Sequence, residues 1–455
     1  MTKLSLENTE YTKSSKPLKY SKVGMEIETH IIDENGSVSD RSEEIIKKVK
    51  EVDEKIPIIK ECGKNMLEFG CYPSDELAIP ALDLVYSLET TFEIAKKMNL
   101  TMFPFATYPG KFKPIQSSGP GYKLKKKIFG EEKFEYAMKC TGFHNHYSLP
   151  KGVFDYKKLH LKELKNSKLS RNMISAYNFE IAIDPILTLF AQSSPFIDGN
   201  YLAKDSRMLV YRGGRKLKYD GLYAKHQQIG GLPPYKQTVT DLMHSQLLRV
   251  KTWKKLIKKS YPNVKFEELY ESPLDVGWNP VKINPHGTIE QRGMDMNFIS
   301  TLVAVSVLIK SYMRKIQEEF IEVLPADFGM EEPFKFEKGI LYIPPHSYVR
   351  NQLQNFSAYK GFSSKELYEY ASKFFKLGKE IAEKEELILL NPIKDMLDTK
   401  DSMSDKIVNY AKSKGYYNEG KINNKDAAEM ALYYSDKFYE DFLQIKQHIV
   451  DLKGL

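Results

Sequence analysis

The segment Val23 to Glu28 alternates strictly, with Val23, Met25 and Ile27 on one parity and Gly24, Glu26 and Glu28 on the other. Residues two apart in a strand share a face. The fold must therefore accept two carboxylates roughly 6–7 Å apart on the side opposite an apolar surface. Their repulsion is of order 2–3 kcal/mol at an effective dielectric of about 20. An amphipathic edge strand in water could bear that cost, and so could a sheet face on which something neutralises them.

Three further segments have the same character. Ile56 to Tyr72 reads as a hairpin with its turn around Gly63, Lys64 and Asn65. If Lys64 and Asn65 form a two-residue turn, Glu61 and Glu68 lie directly opposite, where like charges destabilise a sheet unless neutralised. Lys60 or Lys64 could supply that charge, and so could a divalent cation. In Thr141 to Tyr147, His144 and His146 are again two apart and share a face, and neutral imidazole is a common metal ligand. The letters H-N-H evoke a nuclease motif, but the rest of that pattern is missing. In His286 to Asp295, Glu290 and Arg292 share a face with Ile289 on the other. An arginine fork beside a metal-binding carboxylate suits a transferred phosphoryl group, although a surface salt bridge has the same spacing. Together these segments offer five glutamates, two histidines and an arginine. Such an oxygen-rich set favours magnesium or manganese over zinc and suits nucleotide-dependent phosphoryl transfer. Neither a Walker A sequence nor a G-x-G-x-x-G after a strand is present, so a nucleotide would be held another way.

Composition narrows the classes. At 42% hydrophobic and 28% charged, the 455 residues can bury a full core. Cys62, Cys71 and Cys140 have no C-x-x-C spacing, which argues against a disulfide scaffold or a cysteine zinc site and fits a reducing compartment. Met1 to Lys19 has no apolar core of a signal peptide. The longest apolar run, Leu302 to Ile309, is far short of the roughly 20 residues that span a bilayer. The expectation is a cytoplasmic protein without a membrane partner. The net charge of +8 arises from 68 basic against 60 acidic residues, a mixed coat that decides nothing. Lysine clusters at 123–127 and 254–259 lack interleaved aromatics for base stacking, so no nucleic-acid partner is expected.

Along the chain, residues 1–20 read as a loose arm, 21–325 as the catalytic domain and 326–455 as a helical region packed on it. Leu82 to Met98 has helical periodicity, and Phe298 to Ile316 reads as a buried helix. Lys123 to Lys133 and Lys151 to Lys168 read as exposed. Gln192 to Pro234 is long for a structureless connection, as binding loops and lids are. Ser363 and Glu366 form a capping box ahead of a stripe at Leu367, Ala371, Phe374, Gly378 and Ile381. A second stripe runs through Ala431, Ser435, Phe438, Phe442 and Ile445.

Gly24 to Glu28 resembles the G-x-E-x-E strand of the glutamine synthetase-like superfamily, and Gly142 to His146 resembles its G-x-H-x-H strand. Gly287 to Asp295 resembles the G-T-[IV]-E-x-R-x-x-D element of the glutamate–cysteine ligase and carboxylate–amine ligase branch. Gln192 through Arg207 is similar to that branch's N-S-P-F-W-x-G…S-x-R loop. It departs where Ser193 replaces Asn, where no tryptophan follows Phe196, and where Tyr201, Leu202 and Ala203 precede Ser206. The motifs keep their order over roughly residues 20–310.

The resemblance implies an α+β fold with a curved, mainly antiparallel sheet, outer helices and a helical C-terminal region. It implies ATP and two or three Mg2+ ions, with Mn2+ as a substitute. Glu26, His144 and Glu290 would bind the ion at the nucleotide phosphates, and Glu28, Glu61 and Glu68 the ion at the substrate carboxylate. His146, Arg207 and Arg292 would contact the amino-acid substrate or phosphoryl group, with Ser206 and Arg212 in the same loop. The implied reaction forms an acyl phosphate that an amine attacks, most specifically joining glutamate to cysteine. Its partners are small amino acids and ATP, with a homo-oligomer as a further expectation. A metal-dependent hydrolase could use the same Glu/His set but leaves Arg292 and the Ser206–Arg207 loop without a role.

Overall fold

The computed structural model describes residues 21–162, 164 and 167–453. The arm expected over residues 1–20 lies outside them. The strands of the main sheet are β1 (Val23–Asp33), β2 (Ile58–Lys60), β3 (Met66–Phe69), β4 (Leu100–Phe103), β5 (Gly142–Ser148), β6 (Val281–Asn284) and β7 (Thr288–Asp295). The helices that matter here are α1 (Ala78–Lys96), α2 (Pro120–Phe129), α3 (Lys168–Ala191), α4 (Ser206–Tyr211), α5 (Val239–Ser260), α6 (Ile299–Glu319), α7 (Lys365–Ile381) and α8 (Asn424–Lys453).

The seven strands form one sheet in the order β6-β7-β5-β1-β3-β2, with β4 also on β1. Every pairing is antiparallel. β1 is long enough to take β5 along Val23–Ile27 and β4 along His30–Asp33, while β3 occupies its other edge. Its apolar parity, Val23, Met25 and Ile27, is fully buried on the side of α3 and α6. Two polar contacts fix that packing: Asn145 donates to the Ser306 hydroxyl at 2.9 Å, and the Gln291 amide donates to the Glu180 carbonyl at 3.2 Å. Helix α3 meets the length and hydropathy of a membrane-crossing helix, but its whole apolar window is buried within the fold. Helix α6 is buried over most of its length, as its apolar first half suggests.

Burial of α3 carries Glu180 into the core, where burial raises its carboxyl to about 8 and leaves Oε2 without a hydrogen-bond partner. The folded chain then holds a proton that the unfolded chain releases near pH ~4.3. Stability attributable to this group is full below that value and is lost as pH rises through about 8, with a slope of up to about 1.4 kcal/mol per pH unit. Glu180→Gln is therefore expected to raise the urea midpoint at pH 8.5 and to change it little at pH 4.5. A midpoint difference of equal size at both pH values would refute this account.

The region after Pro325 differs from expectation. Glu322–Pro325 pairs in parallel with Ile340–Ile343, which also pairs with Phe336–Glu337, so a three-stranded sheet precedes the helices. Lys338 and Gly339 both take positive φ, the backbone of a tight two-residue hairpin. The N-cap of α7 is Ser364, whose Oγ accepts from the Leu367 amide. Ser363 instead donates to the Lys360 carbonyl at 2.8 Å, so the capping residue lies one position beyond the expected box. Leu367, Ala371, Phe374 and Gly378 are buried, and a Cβ at Gly378 would meet Leu308 of α6 at 2.6 Å. The second stripe, on α8, is buried throughout, and α8 packs on α1, α6 and β4.

Candidate active site

Register brings the polar parities together. Glu26 is directly opposite His144, Glu28 opposite Glu68, and Glu290 opposite both His146 and Lys282. Directly opposed residues of an antiparallel pair project on one face, so five strands place these side chains on the side away from α3 and α6. The hairpin register is two residues from the expected one: Glu68 faces Ile59, and Glu61 lies beyond the end of β2. The turn is longer than two residues because the Lys64 amide donates to the Ile115 carbonyl and the Ser117 amide to the Cys62 carbonyl, each at 2.8 Å. A slip of two preserves parity, and Glu61 still reaches the same face.

Two sets of donors result. Glu26, His146 and Glu290 each bring one ligand atom within 4.8 Å of the others, and Glu28, Glu61 and Glu68 do the same. His144 stands between the sets, with Nδ1 3.1 Å from Glu26 and 3.8 Å from Glu290, and Nε2 3.9 Å from Glu28. The family resemblance implies His144 with Glu26 and Glu290, and His146 among the substrate contacts. In the structure His146 completes the first set. Its Nδ1 lies 2.9 Å from the Thr288 hydroxyl, while its buried Nε2 lies 3.4 Å from Glu26 without a hydrogen bond. A ring anchored through one nitrogen with the other left open is the usual arrangement of a metal-ligating histidine. Neighbouring groups hold the carboxylates too. Glu28 accepts from the Gly142 amide, Glu61 from the Cys62 amide and Glu290 from Asn284, each at 2.6 Å.

The two sets differ electrically. Burial pushes Glu290 up, but Arg292, Lys282, His146 and His144 outweigh it and hold its carboxyl at about 2. Burial likewise opposes ionisation of Glu26, and His146 and His144 bring it well below the usual range. Glu28 and Glu68 are both raised, first by burial and then by Glu61. Cationic side chains outweigh burial in the first set, whereas burial and Glu61 prevail in the second, which is all carboxylate, the donor type that hard divalent ions take.

The arginines divide by role. Past a β-bulge after Gln291, the Arg292 amide donates to Pro280 at 2.7 Å and its Nη1 donates to Glu290 at 3.1 Å. Arg207 is buried, donates from Nη1 to the Met294 carbonyl at 3.0 Å and leaves Nε without a partner. Its guanidinium lies against residue 142, where a Cβ would meet Nη2 at 2.2 Å, so a larger residue there would have to displace the arginine head. Both arginines line a cleft with Glu28, His144, Tyr223 and Trp278. Arg212 also borders the cleft, but its fork is committed to Asp184 at 2.5 and 2.8 Å. Ser206 is not brought to the carboxylates. It is the first residue of α4, and its hydroxyl donates to Pro195.

The stretch Gln192–Pro234 is not structureless. Phe196–Ile197 and Asn200–Tyr201 form a hairpin, α4 follows, and Gln227–Gly230 is a short helix. Asp198 and Gly199 take the positive φ of its turn. Ser193 is absorbed in packing, because its hydroxyl donates to Met296 at 2.6 Å and accepts from the Ala106 amide. Sequence reasoning missed Lys282, Asn284, Thr288, Tyr223 and Trp278. Of these, Lys282, Asn284 and Thr288 follow from strand parity once the β6–β7 register is known. Tyr223 and Trp278 carry no local signal.

No protein-family model matches the sequence, and no curated protein sequence matches it. Among solved structures, glutamate–cysteine ligase from Francisella tularensis, in complex with AMP, aligns with a TM-score of 0.55 at 12% identity, over 95% of this chain and 93% of that one. A bifunctional glutathione synthetase from Pasteurella multocida aligns with a TM-score of 0.54 at 13% identity, over 96% of this chain and 56% of that longer one. The chain shares its fold with these two structures.

Proposed function

We propose that this protein is an ATP- and divalent-cation-dependent ligase that joins a carboxylate to an amine. Its narrowest form is glutamate–cysteine ligase, acting on the γ-carboxylate of glutamate. The observation that carries this reading is the convergence of two metal-competent donor sets on one sheet face beside Arg292.

Glu26, His146 and Glu290 would hold one ion, and Glu28, Glu61 and Glu68 another, with His144 between them able to serve either. Magnesium or manganese suits both sets, and when bound would neutralise phosphate charge and orient the reacting oxygens. Arg292 is anchored to Glu290 and lines the cleft, a position from which its fork can stabilise a transferring phosphoryl group. In the proposed sequence the substrate carboxylate takes the γ-phosphoryl of ATP and ADP leaves. The amine then attacks the acyl phosphate, a nearby carboxylate takes its proton, and phosphate leaves. The cleft wall from Arg207 to Trp278 would keep water from the acyl phosphate.

The test is ADP release from ATP and Mg2+ with glutamate, cysteine and other acids and amines. Turnover is expected to require both an acid and an amine and to stop on chelation. ATP turnover indifferent to either, or phosphodiester cleavage without ATP, would overturn the reading.

A further inference from the structure

The basic run of α2 is not all exposed. Leu124 buries α2 in the cluster that holds Trp253 and Ile257 of α5, and the next residue, Lys125, turns toward the candidate site. Its Nζ lies 4.3 Å from the centroid of the Trp278 ring and 5.9 Å from that of Tyr122. Its neighbours behave as ordinary surface lysines: Lys126 pairs with Glu131, and Lys127 covers the Tyr261 ring. Lys125 has no ion-pair partner among the described residues; its contacts are the two rings. A lysine that merely packs extends its ammonium away from apolar surface, whereas this one lays it over the face of the Trp278 ring. Burial, tempered by Glu61, lowers it to about 8.

The Trp278 ring under Lys125 lies nearly parallel to that of Tyr223, 6.0 Å between centroids at 6°, and both line the cleft with Arg292. We infer that Lys125 and Arg292 form an anion subsite walled by Trp278 and Tyr223. It takes an anionic oxygen group of a bound substrate, whether a carboxylate or a phosphoryl. The ammonium retains three donors that the aromatic faces do not satisfy, and the arginine supplies a planar fork. The identification of this group as part of a substrate rests on the ligase reading; the subsite itself rests on the geometry.

The test is calorimetric titration of the Mg2+-supplemented protein with L-glutamate, L-cysteine and inorganic phosphate at constant ionic strength. Emission of the chain's two tryptophans, Trp253 and Trp278, is followed in parallel. At least one anion is expected to bind saturably. Lys125→Met should weaken that binding by about tenfold, and Lys125→Arg should keep it within about threefold of the parent. A response to phosphate alone identifies a phosphoryl subsite, and a response to an amino acid a carboxylate subsite. Circular dichroism checks that both variants fold. Unchanged binding of all three probes in Lys125→Met, or no saturable binding in the parent, overturns the inference. Lys125-dependent binding without any ATP turnover would leave the subsite standing and remove the ligase reading. Turnover by Lys125→Met at parental KM values would do the reverse.

Discussion

Glu68→Gln is expected to lower ATP turnover about a hundredfold and to remove most of the stabilisation that magnesium or manganese confers. Glu68 is opposite Glu28 in the β1–β3 register, and one oxygen of each lies within 4.8 Å of one from Glu61. Two ionised carboxylates at that separation repel by about 3 kcal/mol at an effective dielectric near 20, and no arginine or lysine forms an ion pair with Glu68 among the described residues. A sheet would not retain this arrangement for packing, because three isosteric amides would pack equally well without the repulsion. A bound divalent ion reverses the sign, and its binding to the folded state alone stabilises by about 2.7 kcal/mol at a hundred times its dissociation constant. Glutamine keeps the shape but loses the charge. The metal-free variant should thus melt no lower than the metal-free parent, while its rise in melting temperature with Mg2+ or Mn2+ shrinks. Thermal melts with and without EDTA, alongside ADP release, check both halves. A variant that kept the parent's metal-dependent rise would show that the three carboxylates do not share an ion.

How much of this was legible depended on whether a feature followed from strand parity. Glu26 with Glu28, His144 with His146, and Glu290 with Arg292 are each two apart, so their shared faces required only that the segments be strands. The hairpin reading survived a register error because Glu61 and Glu68 keep their parity under a shift of two residues. Parity could not say which histidine completes the Glu26–Glu290 set. That is decided by the Gly24–His146 and His146–Glu290 pairings and by the hydroxyl of Thr288. Side-chain commitments were equally invisible: Arg212 is consumed by Asp184 and Ser206 by Pro195, contacts that depend on how the loop and α3 fold and that no local pattern marks. Lys125 reads as one more surface lysine for the same reason, until Leu124 is seen to anchor α2 against α5 and the Lys125 ammonium to lie over Trp278. The strands at 336–343 were lost to a local ambiguity, because Ile340 to Ile343 is a continuous apolar run too short to be separated from a helix by period alone.

Arg292→Lys should reduce kcat about a hundredfold and Arg292→Ala about a thousandfold, with the KM for ATP changed far less. Arg292 is held at three points: its amide on Pro280, its guanidinium on Glu290 at 3.1 Å, and the bulge that carries it past the β5 register. So fixed, the fork needs no reorganisation to meet charge that develops on a transferring group, and that preorganisation gives the interaction its catalytic value. Lysine retains the charge but not the planar pair of donors, so it can neutralise Glu290 or reach the phosphoryl group but cannot do both in one geometry. A merely structural arginine would behave differently. Its loss would lower stability and raise KM through disorder of Glu290, and lysine, which preserves the ion pair, would restore most of the activity. Steady-state kinetics of both variants with ATP, acid and amine varied in turn separates the two cases, and a lysine variant with near-parental kcat would assign Arg292 to holding Glu290 alone.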